Sequence, residues 1–339
     1  MTEKRDDYLW DRSGEPDGDV ERLESLLGTL RSKTSPPELS ERPVAAPRRF
    51  AQRWLPLAAA FAILAVGGWW LMQPGGSTGL EVERLDGSPT LASRTIAKTG
   101  RWLVGQSLVT DAVSRARISI GLFGEVDVEP NSILRLVSAS VDHRRLALDR
   151  GSIQATIYAP PRFFAVETPS ALAVDLGCVF SLNVGEDGQG VVRVTSGWVA
   201  FETGGRESFI PAGAMCTTRP GLGPGTPLYE DTAHALKSAV DRIDAGGLSP
   251  NERSAAIDDL LAAAREKDAF TLWHLLSRVD DGERGLVFDR LAGLVAPPGG
   301  VTRAGVLAGD REMLEIWWDR LGLGDTDWWR MWKLPEPPV

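Results

Sequence analysis

Most protein chemistry is built from cysteine, histidine and carboxylate side chains, and this chain of 339 residues carries 2 Cys, 3 His and 46 Asp or Glu. A zinc site needs nitrogen and sulfur ligands brought together in closely spaced pairs. His143, His234 and His274 have no Cys or second His at such spacing, so no metal site is expected. A nucleophilic serine would announce itself by a G-x-S-x-G elbow and a nucleotide site by a phosphate-binding loop, and neither motif occurs. The glycine-rich Gly221-Leu222-Gly223-Pro224-Gly225 lacks the strand and helix that a dinucleotide loop requires on its two sides. Carboxylates are plentiful, yet no pair stands out as an acid and a base; on strands and helix faces they are ordinarily solvated charge. The reading is of a protein that is not an enzyme and has no cofactor. A net charge of -9 argues against direct nucleic-acid binding, which needs a basic surface to neutralise phosphates.

With catalysis set aside, the elements that could position a binding surface come forward. Trp54 to Met72 is an unbroken apolar run preceded by Arg48, Arg49 and Arg53. It has about the length needed to cross a bilayer, and flanking basic residues orient such helices with the positive side in the cytoplasm. We read it as one transmembrane helix rather than a signal peptide or a buried core helix. On that expectation residues 1–53 are cytoplasmic and everything after Met72 is periplasmic, the chain sitting in the inner membrane. Cys178 and Cys216 then lie where disulfides persist, and two alternatives stay open: one bridge between them, or two buried thiols.

Before the apolar run, residues 1–34 form a short helical segment. Val20, Leu23, Leu26, Leu27 and Leu30 recur at the three-and-four spacing of an amphipathic helix, after an acidic and aromatic cluster containing Leu9 and Trp10. So short a helix is marginal in water without a partner. Its stripe therefore packs on the Leu9 and Trp10 segment or on another protein, and Leu9, Trp10, Leu23, Leu26 and Leu27 are the candidate partner-binding residues. Residues 35–53 are a Pro- and Ser-containing linker.

After a flexible spacer, the pattern changes to short alternating stretches bounded by Gly, Pro, Asn and Asp. Examples are Ala116–Leu122, Gly124–Val128, Ile133–Val137, Arg145–Leu148, Ser152–Ile157, Val179–Val184 and Gly190–Thr195. They predict an all-β domain over 80–218, an antiparallel sandwich or a solenoid-like roll. A linker at 219–227 leads to an all-α region over 228–339. Its helices are signalled by the capping box Ser249-Pro250-Asn251-Glu252 and by the cap candidates Asp268, Asp280 and Asp310. Half of the 12 Trp fall there, among them the adjacent pairs Trp317-Trp318 and Trp328-Trp329 and the single Trp332. Indoles fill the core of a small helical domain, which is the favoured reading, but neighbouring residues cannot share one helix face, so one of each pair is also available for a second surface.

From Glu129-Pro130-Asn131-Ser132 through Leu148 to Ile153, Phe164 to Pro169, Gly177 to Leu182 and Val194 to Val199 to Ile210-Pro211-Ala212-Gly213, the order of motifs through the β region resembles the FecR-type domain. Glu129-Pro130-Asn131-Ser132 and Leu148-Asp149-Arg150-Gly151-Ser152-Ile153 match its first steps. Phe164-Ala165-Val166-Glu167-Thr168-Pro169 and Gly177-Cys178-Val179-Phe180-Ser181-Leu182 follow, then Val194-Thr195-Ser196-Gly197-Trp198-Val199 and Ile210-Pro211-Ala212-Gly213. Cys178 departs from the pattern, which usually has Thr there. The resemblance implies a single-pass signalling protein that relays a periplasmic signal to a cytoplasmic extracytoplasmic-function sigma factor, with an unknown periplasmic protein or ligand as its second partner. The zinc-binding His and Cys motif of some anti-sigma segments is missing, since residues before the apolar run contain neither type. The other reading is a membrane-anchored periplasmic binding or scaffold protein without sigma-factor control.

Overall fold

The computed structural model describes residues 18–28 and 79–323. The chain divides into two compact units, Met1–Met72 and Gln73–Val339. Of the first, the helix Gly18–Gly28 is described.

Among the described residues of the second unit, 18 strands form one continuous sheet. The strand Arg144–Ile157, 14 residues long, holds it together. Its first half pairs with Ile133–Ala139 on one side and, in parallel, with Phe164–Glu167 on the other. Its second half pairs with Gly124–Val128 and Val179–Val184. One strand thus belongs to two halves of the sheet, whose apolar faces turn toward a common core. Leu134, Leu136, Leu146 and Phe164 from one half meet Val82, Ile118, Ile153 and Leu182 from the other.

The turn between the halves falls at Gly151, with φ +99°. That angle belongs to the left-handed region where a Cβ is costly. A side chain there would also stand 2.2 Å from Ser132 Oγ. Ser132 is fully buried, donates its hydroxyl to Glu129 O at 2.7 Å and accepts the Ser152 N–H at 2.9 Å. Two sequence motifs, Pro130-Asn131-Ser132 and Leu148 to Ile153, are therefore the two sides of one corner. The alternation pattern read Arg145–Leu148 and Ser152–Ile157 as separate strands; the chain instead bends without breaking.

Helices follow the sheet: His234–Ala245, Pro250–Ala263, Ala269–Leu275, Asp281–Leu294, Arg303–Leu307 and Arg311–Arg320. Ser249 and Glu252 form the capping box, and Asp280 with Glu283 forms a second. Asp310 Oδ1 accepts the Met313 N–H at 3.2 Å. These helices pack on the sheet as well as on each other. Trp317 is buried among Phe288 and the other helical side chains, while Trp318 is buried against Val174, Leu176, Ala200 and Phe209 of the sheet. Both members of that pair serve the core, because the second surface open to the helix is the sheet itself. Trp328, Trp329 and Trp332 lie outside the described residues.

The expected architecture requires correction. Among the described residues no helix is long and apolar enough to cross a membrane, so the expected inner-membrane span is not found there. The segment Trp54 to Met72, the whole basis of that expectation, lies outside the described residues. The placement of the N-terminus in the cytoplasm and of the later regions in the periplasm goes with it. In place of an antiparallel sandwich or solenoid-like roll stands one continuous, mainly antiparallel sheet, curled as a half-barrel and containing a parallel pair.

Candidate functional site

Leu23, Leu26 and Leu27 lie at i, i+3 and i+4 on the helix Gly18–Gly28, a spacing that puts them on one face. They are 58%, 65% and 61% exposed. Leucine gains nothing from water, and three together on a helix of 11 residues make a face that is stabilised only when covered. The helix also carries the charged residues Glu21 and Arg22, both exposed. Leu9 and Trp10, read with these leucines as one surface, lie outside the described residues.

The two cysteines are separate free thiols, both buried, and the disulfide alternative is corrected. Sheet register explains why. Cys216 is opposite Val192, which is opposite Leu182, whereas Cys178 lies four residues before Leu182. At about 3.3 Å per residue that offset far exceeds the Cα separation a disulfide spans. Cys178 instead donates its thiol to Asp175 Oδ1 at 2.6 Å. The same carboxylate accepts the Gly177 and Cys178 backbone N–H groups at 3.1 and 3.0 Å. Burial raises the Asp175 pKa to about 6 and pushes the Cys178 thiol far above its usual range. Cys178 thus acts as the hydrogen-bond donor that a threonine hydroxyl would be at this position. Cys216 donates to Gly225 O at 3.1 Å, and burial lifts its thiol to about 12. Neither is a reactive thiolate.

Of the histidines, His143 bonds Ser140 in an exposed loop at 2.7 Å, and His234 begins a helix. His274 is buried where helix meets sheet. Its Nε2 accepts the Phe209 N–H at 3.1 Å and its Nδ1 donates to Phe270 O at 2.9 Å, a pattern that selects the neutral Nδ1–H tautomer. Burial, reinforced by Arg278, lowers its pKa to about 3. Arg278, half-buried beside it, donates to Glu207 O at 2.9 Å, Ser208 Oγ at 2.6 Å and Thr226 Oγ1 at 3.1 Å. Rings of Trp198, Phe209, Trp273 and Trp318 enclose this junction. These polar groups join helix to sheet. Among the described residues no group of three or more His, Cys, Asp or Glu is arranged to hold a metal ion.

A second exposed apolar feature escaped sequence reading: Leu122, Phe123 and Tyr158 on the sheet. Leu122 reads by alternation as the end of a strand, but that strand stops at Ser119 and Gly121–Phe123 is a 3-10 turn. The flanking Gly121 and Gly124 are the signal that a turn stands here.

Residues 106–200 match the family model described as FecR protein, so the resemblance carried by the motifs holds over that segment. Two crystal structures of candidate anti-sigma factors from Parabacteroides distasonis resemble the chain weakly. One is 16% identical with a TM-score of 0.32, covering 39% of this chain and 63% of that one. The other is 18% identical with a TM-score of 0.32, covering 46% and 73%. The chain thus spans under two thirds of the first structure's own length. No curated protein matches the chain.

Proposed function

We propose that the protein regulates a sigma factor of the extracytoplasmic-function class, holding it through the leucine face of the helix Gly18–Gly28. The observation that carries this reading is the exposure of Leu23, Leu26 and Leu27 together on one side of a short helix. The FecR match over residues 106–200 supports it. An amphipathic helix laid into a groove of its partner is a recurrent recognition mode, anchored at i, i+3 and i+4 positions. In this reading residues 1–34 engage the sigma factor, 80–218 form the sensing region, and 228–339 support it.

The test is full-length protein co-expressed with sigma factors and a sigma-dependent reporter. Reporter output is expected to change with the wild-type protein, and the change to vanish when Leu23, Leu26 and Leu27 are replaced by Asp. An unaltered reporter with either protein would favour the second reading, a binding or scaffold protein without sigma-factor control.

A further inference from the structure

The strands Leu80–Asp86, Arg115–Ser119 and Gly124–Val128 lie side by side and turn their charged side chains outward. At one end of this face a cavity of about 630 Å³ is walled by Glu81, Glu83, Glu125, Arg117, Leu122 and Tyr158. Above it stands an apolar tip in which Leu122 is 99% exposed, Tyr158 75% and Phe123 37%.

This tip is held firmly. Ile120 donates its N–H to Gly124 O at 2.9 Å, and Tyr158 donates its N–H to Phe123 O at 2.8 Å. The Phe123 ring rests on Phe163 at 4.4 Å. Gly124, with φ +132°, lets the turn lie so close to the neighbouring strand that a Cβ would stand 2.0 Å from Thr156 O. A leucine at such a tip buries nothing within the fold, so a polar residue would serve the turn equally well. Single exposed apolar residues are ordinary, but three on one rigid projection make a contact surface that costs little ordering on binding.

Charge decides what covers it. Arg117 is committed to Asp127 through two hydrogen bonds of 2.6 and 2.8 Å and lies 3.5 Å from Glu125. Glu81 and Glu83 are exposed on the adjoining strand, and the wall of the cavity therefore carries three carboxylates against one guanidinium. A second copy would bring the same negative rim against itself, and an anionic lipid surface or nucleic acid would be repelled. We propose that this face docks a basic protein segment in which Lys or Arg alternates with an apolar side chain, the cations over Glu81 and Glu83 and the apolar group against Leu122 and Tyr158. The surface is distinct from the Leu23 helix, and its failure would leave the sigma-factor reading intact.

The experiment measures fluorescence anisotropy of a labelled alternating Lys-Leu peptide with the full-length protein. Expected are saturable binding that weakens with salt, a loss of about tenfold in affinity in Leu122→Ser and in Tyr158→Ser, and a similar loss in the Glu81→Gln/Glu83→Gln double variant. Thermal unfolding of Leu122→Ser at the wild-type temperature shows that the fold is unaffected. The proposal is overturned if the peptide does not bind, if the variants bind as the wild type does, or if Lys-Ser or Glu-Leu peptides bind equally well. Self-association in sedimentation that Leu122→Ser abolishes would also overturn it, by making a second copy the occupant.

Discussion

Asp175 and His274 are two buried titratable groups whose proton balance opposes each other. His274 is lowered from 6.5 to about 3, so between those values the unfolded chain takes up a proton that the folded chain refuses, and stability falls as pH falls. Asp175 is raised from 3.8 to about 6, so the folded chain keeps a proton that the unfolded chain loses, and there stability falls as pH rises. From about pH 4 to 6 the two effects offset. Asp175→Asn removes one of them: urea midpoints measured between pH 4 and 7 should fall more steeply with acid than in the wild type, by up to about 1.4 kcal/mol per pH unit. An unchanged slope would mean that Asp175 is ionised in the folded protein at pH 5. Gly151 makes the other prediction at this scale. Gly151→Ala meets both a positive φ and the Ser132 side chain, and should lower stability by more than about 1 kcal/mol in denaturant titration. Neither Asp175 nor His274 could be singled out from sequence as a buried titratable group, since a buried Asp or His is written no differently from a solvated one.

Among the elements, the strand Arg206–Pro211 shows how an edge is closed. It pairs with Trp198–Thr203 on one side. On the other, Phe209 gives its N–H to His274, Glu207 O receives Arg278, and Pro211 has no N–H to offer. An open strand edge invites pairing with other chains, and side chains from the helices deny it. His274→Leu leaves the buried Phe209 amide without its acceptor and should cost about 1–3 kcal/mol, seen as faster hydrogen exchange at that amide. The caps at Ser249, Asp280 and Asp310 were legible because capping is local, a matter of three or four consecutive residues. The short helix Arg303–Leu307, capped by Thr302, was not foreseen, because five residues are too few to show a period.

At the scale of the molecule, sheet and helices share side chains to such a degree that they should unfold together. Trp318 belongs to a helix but packs on the sheet, and Phe270 belongs to a helix but joins the sheet's core. Trp318→Ala is expected to cost about 3–5 kcal/mol, with circular dichroism and tryptophan fluorescence still reporting one coincident transition. Two separate transitions would show that the helical part stands alone.

Alternation, turn residues and caps by themselves determined the succession of strands and then helices, the lack of a recognisable catalytic motif and the FecR likeness over the central segment, because each is written in neighbouring residues. Tertiary structure alone decided that two predicted strands are one strand turning at Gly151, that Cys178 serves Asp175 rather than Cys216, and that Trp317 and Trp318 both face a core. It also decided that Leu122 projects from the sheet. Each of these depends on which distant residue arrives opposite, and register, burial and close approach are properties of packing that no local window contains.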